Sequence, residues 1–261
     1  MLRTRLLAAV FGAAALVAGS ASAESIKIGV SAGPHAQILE QVKPIAAKQG
    51  LEIQIIEFTD YVIPNQALSQ GDLQANSFQH EPYLDNQVKD RGYDLVNAGK
   101  TVVFPMGIYS KKVKTLAELK DGAKIAVPND PTNGGRALLL LQAQGLIKLR
   151  DGAGLKASPV DVKDNPKKLQ ILELDAAQLP RSLDDVDAAA VNTNYAIEAG
   201  LDPNKDTIAK ESADSPYTNI IAVRKADKDK PWVATLVNSY HTPEVKQFVL
   251  DKFKGAVVPG W

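Results

Sequence analysis

Between Asn76 and Tyr83 the chain reads Asn-Ser-Phe-Gln-His-Glu-Pro-Tyr, which gathers two aromatic rings and an imidazole into one short stretch. If Leu73 to Gln79 runs extended, Phe78 and His80 are two apart and leave the backbone on the same side. Pro82 suits the first position of a helix, where its missing N–H would have had no intrahelical partner. That helix puts Tyr83 in its first turn, close to His80. A strand end feeding a helix start is the usual ligand position in an open α/β sheet. Tyr61, at the end of the preceding strand, belongs at the same sheet edge. Core packing with one capping polar group fits the Phe-x-His-x-x-Tyr spacing as well, and a loop tyrosine covering the sheet end fits Tyr61.

A second constellation lies at Asn129-Asp130-Pro131-Thr132-Asn133-Gly134-Gly135-Arg136. Thr132 or Asn133 can cap a helix beginning at Gly134-Gly135-Arg136, leaving backbone N–H groups beside a guanidinium. This is chemistry for a carboxylate: the arginine fork matches two oxygens, each charge-assisted bond contributing on the order of 1.5–3 kcal/mol. The phosphate-loop pattern Gly-x-x-x-x-Gly-Lys-Ser/Thr is absent. An arginine on a solvent-facing helix is the plainer alternative. Asn192 ends an apolar strand and Asn219 follows Ser215-Pro216-Tyr217. Either amide can accept from an ammonium without burying a charge, or serve as a turn or cap residue.

Covalent and metal chemistry find little support. His35, His80 and His241 are far apart in sequence, with no His-Glu-x-x-His, no Gly-x-Ser-x-Gly and no cysteine. A binding protein without cofactor or metal is expected rather than an enzyme.

The elements that must position these residues are readable in order. Ile26 to Val30 alternates as a strand, His35 to Lys48 carries a helical apolar stripe closed by Gly50, and Leu51 to Phe58 is a second strand. This β-turn-α-β opening is a parallel unit. Lys100 to Ser110 is extended but holds Pro105 and Gly107, so it reads as a strand leaving one unit for another. A second α/β set follows: a strand at Lys124 to Pro128, a helix at Arg136 to Gln144, and strands at Leu169 to Leu174 and Ala188 to Asn192. Tyr217 to Arg224 crosses back, and Trp232 to Tyr240 and Pro243 to Phe253 close the chain as helices. The expected fold class is α/β, two lobes joined by two hinge crossings with a ligand cleft between them. The expected divisions are a leader at 1–23, a first lobe at 24–107 and 217–261, and a second lobe at 108–216.

Met1 to Arg5 is a short basic region, Leu6 to Ala18 an apolar stretch too short to span a bilayer, and Ala21-Ser22-Ala23 a small-x-small cleavage site. Cleavage there removes Arg3 and Arg5 and takes the basic residues from 30 to 28, against 30 acidic ones. A near-neutral protein offers no electrostatic case for nucleic acid. Without cysteine the mature chain is held by burial, and it has no residue for a lipid anchor at the cleavage point. The expectation is a monomer, free in the periplasm, with a place outside the cell as the alternative.

Phe78 to Leu84, Pro128 to Leu138, Ala190 to Ala196, Ser215 to Asn219 and the Gly260-Trp261 end together resemble the NlpA lipoprotein family, the methionine-binding proteins of ABC importers. The matches run through essentially the whole mature chain in the family's order. The resemblance implies a two-lobed, type II-like periplasmic binding fold that holds L-methionine or a close analogue and delivers it to an inner-membrane ABC permease driven by an ATPase. It also implies roles: Tyr61, Phe78, His80 and Tyr83 as the side-chain pocket, Arg136 as the carboxylate ligand, and Asn192 and Asn219 as the amides near the amino group. A methionine-containing dipeptide or another apolar amino acid stays open as ligand, as does an exported enzyme acting on a small amino-acid substrate. The family's cysteine at the cleavage point is replaced here by Ala23-Glu24, and Asn194 has no implied role.

Overall fold

The computed structural model describes residues 24–261, so the expected leader lies outside the described residues. In chain order the first group of elements is β1 (Glu24–Ser31), α1 (Pro34–Ala47), β2 (Leu51–Phe58), α2 (Ile63–Gln70), β3 (Ala75–Ser77), α3 (Glu81–Arg91) and β4 (Leu95–Val103). The second comprises β5 (Gly107–Tyr109), β6 (Lys124–Pro128), α4 (Pro131–Ala143), β7 (Lys148–Leu149), β8 (Val162–Asp164), β9 (Gln170–Leu174), α5 (Leu179–Ser182), β10 (Ala188–Val191), α6 (Thr193–Glu198) and β11 (Thr207–Lys210). The chain closes with β12 (Thr218–Arg224), α7 (Pro231–Tyr240), α8 (Pro243–Phe253) and β13 (Val258–Pro259).

Two sheets result, of strand order β13-β4-β12-β3-β1-β2 and β11-β5-β10-β6-β9, with a small β7-β8 pair beside the second. In the first sheet β1 runs parallel to both β2 and β3, from Glu24 opposite Leu51 and from Ile28 opposite Ala75. In the second, β6 runs parallel to β9 and β10. Parallel strands expose their carboxyl ends at one edge, so each sheet has a single edge at which its strand-to-helix turns collect. Ile38, Leu39, Val42, Ile45 and Ala46 recur at helical spacing on α1 and meet α7, α8 and the first sheet in one core. Leu138 and Leu141 of α4 join Ile125 and Val127 of β6 in the core of the second sheet.

The two sheets are linked by a paired ribbon. One crossing is Phe104–Met106, between β4 and β5, and the return runs from Glu211 to Tyr217, between β11 and β12. Lys210 pairs with Gly107 on one side of the crossing and Thr218 with Val103 on the other. Between these ladders the Glu211 N–H donates to the Met106 carbonyl at 2.9 Å. Pro105 has no N–H to give a ladder, and the strand breaks beside it. Trp261, at the chain end, stacks on the His241 ring and meets the Tyr240 ring edge-on. Among the described residues no helix is long and apolar enough to cross a membrane.

Two local expectations are corrected. The helix expected to begin at Gly134 begins at Pro131, and its cap is Asp130 rather than Thr132 or Asn133. The Asp130 carboxylate accepts the Asn133 N–H at 2.9 Å and the Thr132 hydroxyl at 2.9 Å; an acceptor-only side chain with Pro next in sequence is the better cap. The extended run expected from Leu73 to Gln79 is a strand only over Ala75–Ser77, with His80 making an isolated bridge to Asn219.

Gly135 lets the N-terminal half of α4 lie directly on the backbone of 154–157. A Cβ there would sit 2.3 Å from the Leu155 carbonyl oxygen and 2.9 Å from the Ala157 nitrogen. Gly135→Ala is expected to lower unfolding free energy by about 1–3 kcal/mol, seen as an earlier urea midpoint. An unchanged midpoint would show that the backbone of 154–157 gives way freely.

Candidate functional site

The carboxyl ends of the parallel strands in both sheets face one cavity. From the first sheet, the turn after β1 brings His35, the turn after β2 brings Tyr61, and the segment after β3 brings Phe78, His80 and Tyr83. From the second, the turn after β6 brings Asn133 and Arg136, and the turn after β10 brings Asn192, Thr193 and Asn194. Phe104 and Asn219 line the side next to the crossings. All seven residues singled out in the sequence, Tyr61, Phe78, His80, Tyr83, Arg136, Asn192 and Asn219, therefore border the same space. The space between them is a slot of about 330 Å³.

One end of the slot is aromatic. Tyr61 and Phe78 lie with ring centroids 5.9 Å apart, and Tyr83 stands edge-on to both, at 6.2 and 5.9 Å. Hydroxyls fix these rings: Tyr83 donates to the Tyr61 carbonyl at 2.9 Å and Tyr61 to Asn194 Oδ1 at 2.6 Å. Burial raises the pKa of the Tyr61 and Tyr83 hydroxyls, so they remain donors.

The other end is polar. His80 caps α3, with Nδ1 accepting the Tyr83 N–H at 3.1 Å. In the neutral ring this leaves the proton on Nε2, which donates to Asn133 Oδ1 at 3.1 Å. Asn192 Nδ2 donates to the same oxygen at 3.0 Å, while Asn192 Oδ1 is buried without a partner. Asn194 Nδ2 and His35 Nδ1 are likewise buried and unpaired. Each such atom costs on the order of 1–3 kcal/mol unless something in the slot satisfies it. Asn219 Oδ1 already receives His35 Nε2 at 3.2 Å, so it has only its second lone pair to offer.

Arg136 is placed differently from the expectation of an open fork. The side chain is 2 % exposed. Its Nε donates to both Glu211 oxygens at 3.1 Å, and its Nη2 to Glu211 Oε2 at 2.5 Å and to the Phe104 carbonyl at 2.7 Å. The guanidinium lies over the Tyr217 ring, Cζ 4.3 Å from the centroid. Of its five N–H donors, only the two on Nη1 have no partner among the described residues. The bidentate geometry is thus used within the protein, and the slot is offered Nη1.

Hydrogen bonds also join the two sides of the slot. Tyr61 to Asn194 and His80 to Asn133 each run from the first sheet's side to the second's, and Tyr195 donates to the Thr59 carbonyl at 3.1 Å. His35, Asn133, Asn194 and Glu211 are not among the site residues expected from the sequence, which offers Asn133 only as a cap. The Asn192-x-Asn194 spacing was the available signal for Asn194; Glu211 lies in a charged stretch 75 residues from Arg136 and gave none.

The family model described as NlpA lipoprotein matches residues 26–261. A curated relative from Salmonella typhimurium, named D-methionine-binding lipoprotein MetQ, is 53% identical over 239 residues, covering 90% of this chain and 88% of that one. Among solved structures, a Burkholderia cenocepacia nutrient binding protein bound to methionine is 59% identical at a TM-score of 0.89, covering 90% of this chain and all of that one. The methionine binding protein MetQ is 52% identical at a TM-score of 0.88, covering 91% and 98%. The α/β fold is therefore that of the two-lobed periplasmic binding proteins.

Burial pushes His35 down to about 4, and burial together with the Arg136 charge pushes His80 down to about 3, from an ordinary value of 6.5. Both rings stay neutral in the folded protein while the unfolded chain protonates them. Their contribution to stability is complete above pH 6.5 and is lost progressively as pH falls toward 4 and 3. Imidazole carbon-bound proton resonances of both rings should hold neutral positions down to about pH 5. A titration midpoint near the ordinary histidine value for either would overturn its placement.

Proposed function

We propose, from the premise that the chain belongs to the NlpA lipoprotein family, that this protein is the methionine-binding component of an ABC importer. The observation that carries the reading is the polarity of the slot. Three rings line one end, with the Asn194 amide against the Tyr61 hydroxyl, and Arg136 Nη1 with the unpaired Asn192 Oδ1 lies at the other. Aromatic walls suit a thioether, whose sulfur gains roughly 0.3–1.5 kcal/mol per ring contact. The polar end suits an α-carboxylate and an α-ammonium: Nη1 donates to the carboxylate, and Asn192 Oδ1 accepts from the ammonium. The slot volume of about 330 Å³ favours a single amino acid over a methionine-containing dipeptide. The likeness to a binding protein solved with methionine supports the same ligand. The D-methionine in the name of the Salmonella relative makes handedness a question for both isomers.

In this reading the first lobe is 24–107 with 217–261 and the second is 108–216. Tyr61, Phe78, His80 and Tyr83 come from the first, Arg136 and Asn192 from the second, and Asn219 from the return strand. The ligand stabilises the closed arrangement because it touches both lobes, and it can do so only by its preference for that arrangement. The protein acts as a monomer, releases methionine unchanged and hands it to a permease. With Glu24 after Ala21-Ser22-Ala23 and no cysteine in the sequence, the mature form is free in the periplasm, where the relatives are named lipoproteins.

Calorimetry after stripping the protein should give stoichiometric binding of methionine, weaker binding of Gly-Met, and recovery of intact ligand. Arg136→Ala should weaken methionine at least about tenfold, near 1.4 kcal/mol; unchanged affinity would remove the carboxylate assignment. The intact mass of the exported protein should match a chain starting at Glu24 without acyl groups, and a lipid-sized addition would overturn the soluble form.

A further inference from the structure

Glu211 does not line the slot, yet it holds the guanidinium that does. Its carboxylate takes Nε and one Nη2 hydrogen of the guanidinium. The same Oε2 accepts the Met106 N–H at 3.1 Å, and the Glu211 N–H donates to the Met106 carbonyl at 2.9 Å. The second Nη2 hydrogen goes to the Phe104 carbonyl. One carboxylate on the return crossing thus binds the outgoing crossing and the one arginine or lysine that lines the slot among the described residues, and the Arg–Glu pair is nearly buried, at 2% and 13% exposure. A guanidinium has rigid planar geometry, so fixing Nε and Nη2 also fixes the direction of Nη1.

We infer that Glu211 is a positioning residue for ligand binding: it holds Arg136 by its Nε–Nη2 edge so that Nη1 alone meets the ligand carboxylate. This rests on the methionine reading for its ligand, but not for its geometry. A residue acting through another loses its effect once that other is gone, whereas one that merely supports the fold costs the same in either background. A glutamine at 211 keeps the size but places an NH₂ against groups that are themselves donors.

The test is a four-member cycle of wild type, Glu211→Gln, Arg136→Ala and the double variant, titrated with methionine and melted in parallel. Glu211→Gln should weaken methionine about tenfold, and the double variant should bind no more weakly than Arg136→Ala alone. Losses that multiply, or a Glu211→Gln variant that binds as well as or better than wild type, would overturn the inference. A second measurement is independent of ligand. The Arg136 Nε–H, identified by its absence in Arg136→Lys, should give a resolved, slowly exchanging ¹H–¹⁵N cross-peak in wild type. In Glu211→Gln that peak should merge with those of the exposed arginines. Wild type that binds no methionine would sink the proposed function, while the cross-peak would still decide whether Glu211 holds Arg136.

Discussion

A guanidinium withdrawn from water has to be paired, and the arrangement of this molecule around its slot follows from how that need is met. Desolvating one ion costs several kcal/mol, and only close, well-directed partners offset it. Arg136 has them in Glu211 and the Phe104 carbonyl, both on the crossings between the sheets. Arg136 itself sits in the second turn of α4, a helix fixed by the Asp130 cap at its start and by the contact of Gly135 with the backbone near Leu155. Cap, glycine, cation and crossing therefore form one continuous set of contacts. Because the pair is neutral as a unit, it suits a ligand whose own charges balance.

The parts of this arrangement legible in the sequence are those with a local cause. The β1-α1-β2 opening shows its periods plainly, and Pro105 marks the place where one extended run becomes two strands in different sheets. Apart from Asn219, which lies on the antiparallel β12, the residues around the slot that could be named in advance sit at or just after strand-to-helix turns, where parallel topology dictates that side chains converge. The rest depends on partners distant in the chain. His35 reads as an ordinary first-turn residue until Asn219, 184 positions on, is beside it. Glu211 reads as one more charge between Lys210 and Ser212. The short strands β7, β8, β11 and β13 span too few residues to display a period, and they exist because a neighbouring strand edge is there to pair with.

The same distinction explains why the arginine was legible and its geometry was not. Residue type and position announce a cation at a helix start; which of its edges faces the slot is set by a carboxylate beyond the reach of any local pattern. Asn192 and Asn194 differ in a related way. Both follow β10 and both border the slot, but the Asn194 oxygen is bound to Tyr61 while the Asn192 oxygen is unpaired. Residue identity was the same, and hydrogen-bond accounting distinguishes them.

The paired ribbon between the sheets has a mechanical consequence. Two antiparallel segments stitched together at Lys210 and Gly107, at Glu211 and Met106, and at Thr218 and Val103 flex readily out of their plane but resist shear within it. The closing motion proposed for the two halves would therefore run close to a single rotational degree of freedom, like the leaves of a book rather than beads on a string. Each closure of that kind would bring Tyr61 back to Asn194 and His80 back to Asn133 in the same register, with no search over relative orientations.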